Sequence, residues 1–323
     1  MKQHTFERNN EQYWEALEHW LDSVDKHKPV KWRDVTQFPQ LYRQICQHLA
    51  LARVRRYTPN LIERLNRLVL RGHQHLYRTP SRLIAKIVSF IGVDFPQQVR
   101  QDLRLVSLSS LLFFGSLLVM FLAIQINPDL IYSLMNTGQV TEIERMYNPM
   151  AAHLGRNREA DSDFLMFGFY IRNNIGIGFQ TFTSGILFGL GTIFFLLFNG
   201  LYIGCVAGHI TNIGYMAPFY SFVIGHSALE LTAIVLAGTA GLNLGLALIA
   251  PGRLARLPAL GKAAAHSIRL VYGIIGMLLL AAFIEAFWSS NTAIAPIIKY
   301  SVGIFWWIGV ISYFVFMGRN RAT

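Results

Sequence analysis

The sequence predicts an all-α membrane protein of about six transmembrane helices, with a broken or re-entrant segment and a soluble helical domain at the N-terminus. Three observations carry this expectation. Hydrophobic residues make up 53% of the 323 positions and charged residues only 15%. Residues 105–126 form 22 positions without a charge, enough at ~1.5 Å per residue to cross a ~30 Å hydrocarbon core. Between 173 and 252 a single formally charged side chain occurs, Glu230. A water-exposed half of this length would need more than the two carboxylates found after residue 163, Glu230 and Glu285.

The N-terminal stretch, 1–104, reads as a cytoplasmic helical domain. Tyr13, Trp14, Leu17, Trp20, Leu21 and Val24 recur at helical spacing among Glu11, Glu15, Glu18 and Asp22. Leu41, Ile45, Leu49 and Ala52 form a second stripe, and Leu61, Leu65, Leu68 and Leu76 a third. Lys28-Pro29 and Thr58-Pro59 punctuate the gaps, and Thr79-Pro80-Ser81 opens a further basic helix.

A membrane domain is expected over 105–318, with spans near 105–126, 176–198, 200–217, 226–250, 269–288 and 300–317. Asn127-Pro128-Asp129 ends the first span, and the acidic stretch 127–163 forms an external loop. Phe164 to Tyr170, followed by Arg172, resemble a helix lying on the outer surface. Asn199-Gly200 reads as the tight turn between the second and third spans, and Asn173-Asn174 as the cap of the helix that turns inward. Within 210–225, Asn212, Gly214, Pro218 and Gly225 interrupt any regular helix. Such a segment survives at membrane depth only when protein or a wet cavity covers it.

Charge fixes the expected orientation. Residues 1–104 hold 18 Lys/Arg against 10 Asp/Glu, whereas 127–163 hold 3 against 6. Arg253, Arg256, Lys262, Arg269, Arg319 and Arg321 join the basic side. Positive residues stay in the cytoplasm, so both termini are expected there. The net charge of +11 is this bias rather than a nucleic-acid footprint, because acidic residues share the basic helices and no Gly-aromatic signature accompanies them. Two cysteines, Cys46 and Cys205, make no disulfide framework, and the charged opening is no cleaved signal peptide.

The candidate chemistry is an intramembrane polar cluster. His226 and Glu230, four apart, share one helix face. Glu230 costs ~2.5–3.5 kcal/mol at mid-helix if ionised, so it should face the bundle and hold a partner. Glu285 falls ~24 Å along its span and reaches the same half of the membrane, and His209 is a further candidate member. The expected role is a hydrogen-bonded His–Glu pair that fixes the irregular segment. An ion or proton relay through Glu230 and Glu285 is the alternative. A metal site with Glu285 or His209 as third ligand is the least favoured reading, because no His-Glu-x-x-His occurs. No metal and no other cofactor is expected. Ser227 beside His226 lacks a glycine elbow, so no nucleophile is assigned and no enzymatic activity is expected.

Glycines at intervals of four mark helix contacts: Gly185 and Gly189; Gly200, Gly204 and Gly208; Gly241 and Gly245. Small residues at this spacing let backbones approach in lipid. They are expected to pack the bundle internally, with a homo-oligomer interface as the other use.

The stretch 171–210, with Asn173-Asn174 and Phe198-Asn199-Gly200, together with His226, Glu230-Leu231 and Ala237–Leu242, resembles the stage II sporulation protein M family. Residues 41–78 look like the cytoplasmic part of its longer, non-sporulating branch. The resemblance implies a multispanning core that acts as a membrane scaffold, and it brings no enzymatic residues. With the resemblance, the expected function is a scaffold or assembly factor of a cell-envelope complex in a bacterial inner membrane. Its partners would be the lipid bilayer and membrane or cytoplasmic proteins reached through 1–104. A transporter or channel for an ion, proton, small molecule or lipid is the alternative.

Overall fold

The computed structural model describes residues 2–25, 32–76, 83–150 and 163–319. Every regular element among them is helical. The breaks read at Lys28-Pro29 and Thr79-Pro80-Ser81, the end of the acidic stretch and Arg321 lie outside the described residues. The chain forms two compact units, Met1–Leu83 and Ile84–Thr323.

The first unit holds α1 (Gln3–Asp25), α2 (Trp32–Val54) and α3 (Pro59–Leu76). Their apolar stripes meet in one core: Phe6, Trp14, Leu17 and Leu21 from α1, Phe38, Ile45, Leu49 and Ala52 from α2, and Leu61, Leu65 and Leu68 from α3. Arg64 ties α3 to α1 through Glu11 at 2.5 Å and Glu18 at 3.2 Å, and its guanidinium lies over the Trp14 ring. Trp14 Nε1 donates to His48 Nδ1 at 3.0 Å.

Burial holds the His48 imidazole below its ordinary pKa of 6.5. The unfolded chain therefore takes up a proton near pH 6.5 that the folded unit takes up only at lower pH. Stability is full above pH 6.5, falls as pH drops below it, and levels off beneath the folded pKa. Urea unfolding of residues 1–83 should show a lower midpoint at pH 5.5 than at pH 7.5. His48→Gln should flatten that difference, and an unchanged pH dependence in this variant would assign it elsewhere.

The second unit opens with α4 (Leu83–Ser89), a π-turn (Phe90–Asp94) and α5 (Phe95–Gln101), followed by α6 (Leu103–Ile126). A short helix, α7 (Thr137–Met146), follows, and its capping box pairs Asn136 with Gln139 in both directions. Then come α8 (Asp163–Thr183), α9 (Leu190–Asn212), α10 (Met216–Ile249), α11 (Arg256–Ile284) continued by a π-turn (Glu285–Ser289), and α12 (Pro296–Phe316). Among the described residues, five helices are long and apolar enough to cross a membrane: α6, α9, α10, α11 with its π-turn, and α12. The long helix α8 is not among these five; it carries Arg172 and packs beside α10 and α11.

The glycine series sets these contacts. A Cβ on Gly200, Gly204 or Gly208 of α9 would run into the α6 backbone at Phe113 and Leu117 or the side chain of Ile124. Gly185 meets the backbone of Gly241, and Gly245 meets that of Gly189. All seven glycines therefore serve contacts inside one chain. At one end Asp102 pairs with His266 at 2.9 Å, Arg100 donates to the Phe314 carbonyl and Gln97 to that of Gly318. These bonds fasten α5 and the start of α6 to α11 and to the end of α12.

Several expected boundaries are corrected. No turn occurs at Asn199-Gly200, which lie inside α9, and the spans placed at 176–198 and 200–217 are replaced by α8 and α9. The turn lies at 184–189, where a 3₁₀ turn ends in Phe188 and Gly189, both at positive φ (53° and 81°). Asn199 stays helical because its Nδ2 donates to the Phe195 carbonyl, while Gly200 is needed against α6. Asn173-Asn174 cap nothing, since α8 runs unbroken from Asp163, and this also removes the separate surface helix at 164–172. The segment 210–225 holds the end of α9, a turn and the start of α10 rather than a single broken helix. Gly214 (φ 84°) ends α9 in a Schellman turn, with Tyr215 N donating to Ile210 O and Gly214 N to Thr211 O. Pro218 then sits in the first turn of α10, where a missing N–H costs nothing.

Candidate functional site

The site is built on the face of α10 that meets the end of α11. His226 and Glu230 lie one turn apart, as the spacing requires, with Nε2 and Oε2 at 3.7 Å. This exceeds a hydrogen bond. The other ring nitrogen, Nδ1, stands 3.1 Å from Ser289 Oγ. Gly225 makes that reach possible, because a Cβ there would strike Trp288 and Ser289. Phe222, one turn earlier, sets its ring edge-on to the imidazole at 5.4 Å. The imidazole is thus fixed from two sides.

Glu285 opens the π-turn, which aims its carboxylate at the same place. One ligand-type atom from each of His226, Glu230 and Glu285 lies within 4.8 Å of the other two. His226 and Glu285 are buried, and Glu230 keeps a minor exposure. Three of the four residues expected in the cluster therefore meet. His209 does not: it lies near the end of α9, with Nε2 2.8 Å from Glu144 on α7.

Two participants were not expected. Ser289 orients the imidazole, and Lys299, 1% exposed, donates from Nζ to the Ser289 carbonyl at 2.7 Å. The signal for Lys299 was available, since it is the lone charge between Glu285 and Arg319 and a buried charge in an apolar helix marks a site. Placing the last span from residue 300 left it outside. Ser289 had no signal, because a π-turn shifts side chains off the 3.6-residue rhythm. Ser227, next to His226, accepts from Trp307 Nε1 at 3.2 Å, which anchors α12 to α10.

The amides divide. Asn173 Nδ2 donates to Asn174 Oδ1 at 3.0 Å, and Asn174 is buried with an Nδ2 that makes no hydrogen bond. Packing brackets its height: Tyr170 clusters with Ala282 and Ala286, and Gly178 meets Ile274 and Leu278. Asn174 therefore stands on α8 opposite the stretch of α11 that leads to Glu285. Asn199 lies elsewhere, on α9, bonded to its own helix.

The arrangement gathers two carboxylates and one imidazole in the bundle interior, the ring held by Ser289 and Phe222, with Lys299 bonded to the Ser289 carbonyl. Such a set can bind a cation or relay a proton, and it presents no activated nucleophile. A family model described as "Stage II sporulation protein M" matches residues 109–290, and one described as "Domain of unknown function (DUF8413)" matches residues 4–78. The first span includes His226, Glu230, Glu285 and Ser289 but ends short of Lys299. No curated protein and no solved structure matches the chain.

Proposed function

Because the chain belongs to the stage II sporulation protein M family, we propose that it is an inner-membrane scaffold or assembly factor of a cell-envelope complex, with both termini in the cytoplasm and no enzymatic activity of its own. The observation that carries this reading is the first unit. Residues 3–76 build a complete three-helix core of their own, which the membrane helices do not need for crossing the bilayer. A separately folded unit tethered to a membrane bundle suits the recruitment of partner proteins. Cross-linking in cells followed by affinity purification tests it, with the full chain beside a chain lacking residues 1–83. The full chain should capture a reproducible partner that the shortened chain loses while still reaching the membrane. Equal partner sets in both would remove the recruiting role.

A second reading, an ion, proton or small-molecule transporter, draws on the cluster of His226, Glu230 and Glu285. Proteoliposomes would show flux that Glu230→Gln abolishes. Indistinguishable flux in wild type, Glu230→Gln and empty vesicles would end it.

A further inference from the structure

We propose that His226, Glu230 and Glu285 form a binding site for one divalent transition-metal cation, zinc in the first instance, that clamps α10 to the π-turn after α11. The inference goes beyond the scaffold reading and does not depend on it.

The argument starts with the gap between His226 and Glu230. In the tautomer that a metal would take, Nδ1–H donates to Ser289 Oγ and Nε2 turns its lone pair toward Glu230 Oε2. Two acceptors then face each other across 3.7 Å, too far for a shared hydrogen bond. A hydrogen-bonded pair, the role expected from the spacing alone, does not account for this geometry. A cation between the two atoms does. Zinc binds imidazole nitrogen and carboxylate oxygen at about 2.0–2.2 Å, so two of its ligand atoms stand roughly 3.5 Å apart. Glu285 brings a third donor within 4.8 Å of both, and a small carboxylate adjustment closes the remainder.

The surroundings match what metal sites require. A ligating histidine characteristically donates its other ring N–H to an acceptor that fixes its orientation, and Ser289 Oγ stands in that position. Charge balance favours an ion as well. An ionised carboxylate costs several kcal/mol to desolvate inside a bundle, and two of them share this site. Lys299 brings one positive charge, and its Nζ is committed to the Ser289 carbonyl. A divalent cation neutralises both carboxylates at once. Imidazole with carboxylates selects zinc and its first-row neighbours over magnesium or calcium, which take oxygen ligands. Three protein donors leave a fourth position for water. The sequence offered this set as its least favoured reading, because only two of the ligands share a helix and the third follows from depth alone.

The test uses the full chain purified in detergent with its affinity tag removed. Protein incubated with excess zinc sulfate and desalted is measured for metal by mass spectrometry, and cobalt is added in parallel for its visible absorption. Wild type should retain about one zinc per chain and show cobalt bands of a nitrogen–oxygen site. Glu285→Gln and His226→Ala should retain less than about a tenth of that. Ser289→Ala should still bind, with affinity weaker by roughly 10–100-fold. A wild type without stoichiometric zinc overturns the site, as does a Glu285→Gln variant that binds as tightly. Should the variants fail to fold, the wild type decides alone: zinc must raise its melting temperature, and an unchanged melting temperature overturns the proposal.

Discussion

Gly241→Val should leave no monodisperse bundle in detergent, and Gly245→Val should behave the same way. A Cβ at Gly241 would fall on Thr192 Oγ1 and on the carbonyl oxygens of Thr181 and Phe182. At Gly245 it would fall on the backbone of Gly189 and Phe188. These neighbours are chiefly main chain, so no change of rotamer relieves the overlap, and α10 must move away from the 184–189 turn. If the valine instead pushes Thr192 aside, it breaks the bond from Thr192 Oγ1 to the Thr181 carbonyl, 2.7 Å long and buried. In lipid the helices are held by packing rather than by hydrophobic burial, so separation forfeits the main attraction. Overpacking costs 1–3 kcal/mol when side chains give way; here backbone must give, and ~3 kcal/mol or more is expected. Gel filtration and thermal melting check the result. Gly176→Ala is the matched control: nothing lies within 4 Å of its Cβ position, and replacing glycine inside α8 should stabilise by up to ~1 kcal/mol. Equal melting temperatures for Gly241→Val and wild type would mean that the close approach of α8 and α10 does not hold the bundle together.

The same glycines show what could be read from residues alone. Their spacing of four announced close helix contacts, and periodicity named each apolar stripe of the first unit. Composition and uncharged runs gave the class of the fold. Boundaries were harder, because an Asn-Gly pair is a turn signal only when neither residue has a better use. Asn199 bonds to its own helix and Gly200 admits α6, so the chain passes straight through, and it turns instead at Phe188-Gly189. Phe188 at positive φ has no local sequence signal. The segment after Thr211 looked irregular because a helix end and a helix start lie back to back, and the two together mimic a break. At the site, the i,i+4 rule placed His226 and Glu230, and depth alone brought Glu285 to them. It failed for His209, where depth was similar but the residue faces α7. Depth carries no azimuth, and only the packed helices supply it.

Trp14→Ala should unfold the first unit while the second unit still enters the membrane. Trp14 is fully buried, in contact with the Phe6 and His48 rings and beneath Arg64. Truncating a buried tryptophan to alanine costs about 3–5 kcal/mol through lost transfer energy and the cavity left behind. The loss also leaves His48 Nδ1 without its donor inside the core, which adds the penalty of an unmade bond, ~1–3 kcal/mol. A unit of 83 residues has roughly 4–12 kcal/mol of stability to lose at 0.05–0.15 kcal/mol per residue. The two sums are comparable, so the unit falls to the edge of folding or below it. Trp14→Phe keeps most of the volume and loses only the indole donor, and it should stay folded with a midpoint modestly below wild type. Limited proteolysis reads the difference: Trp14→Ala is cut within residues 3–76, whereas wild type and Trp14→Phe resist. Membrane fractionation should recover all three alike. Under the scaffold reading, captured partners should disappear with Trp14→Ala and return with Trp14→Phe, which separates recruitment by the folded unit from mere presence of its sequence. Resistance of the Trp14→Ala chain equal to wild type would mean that this core does not hold the unit together.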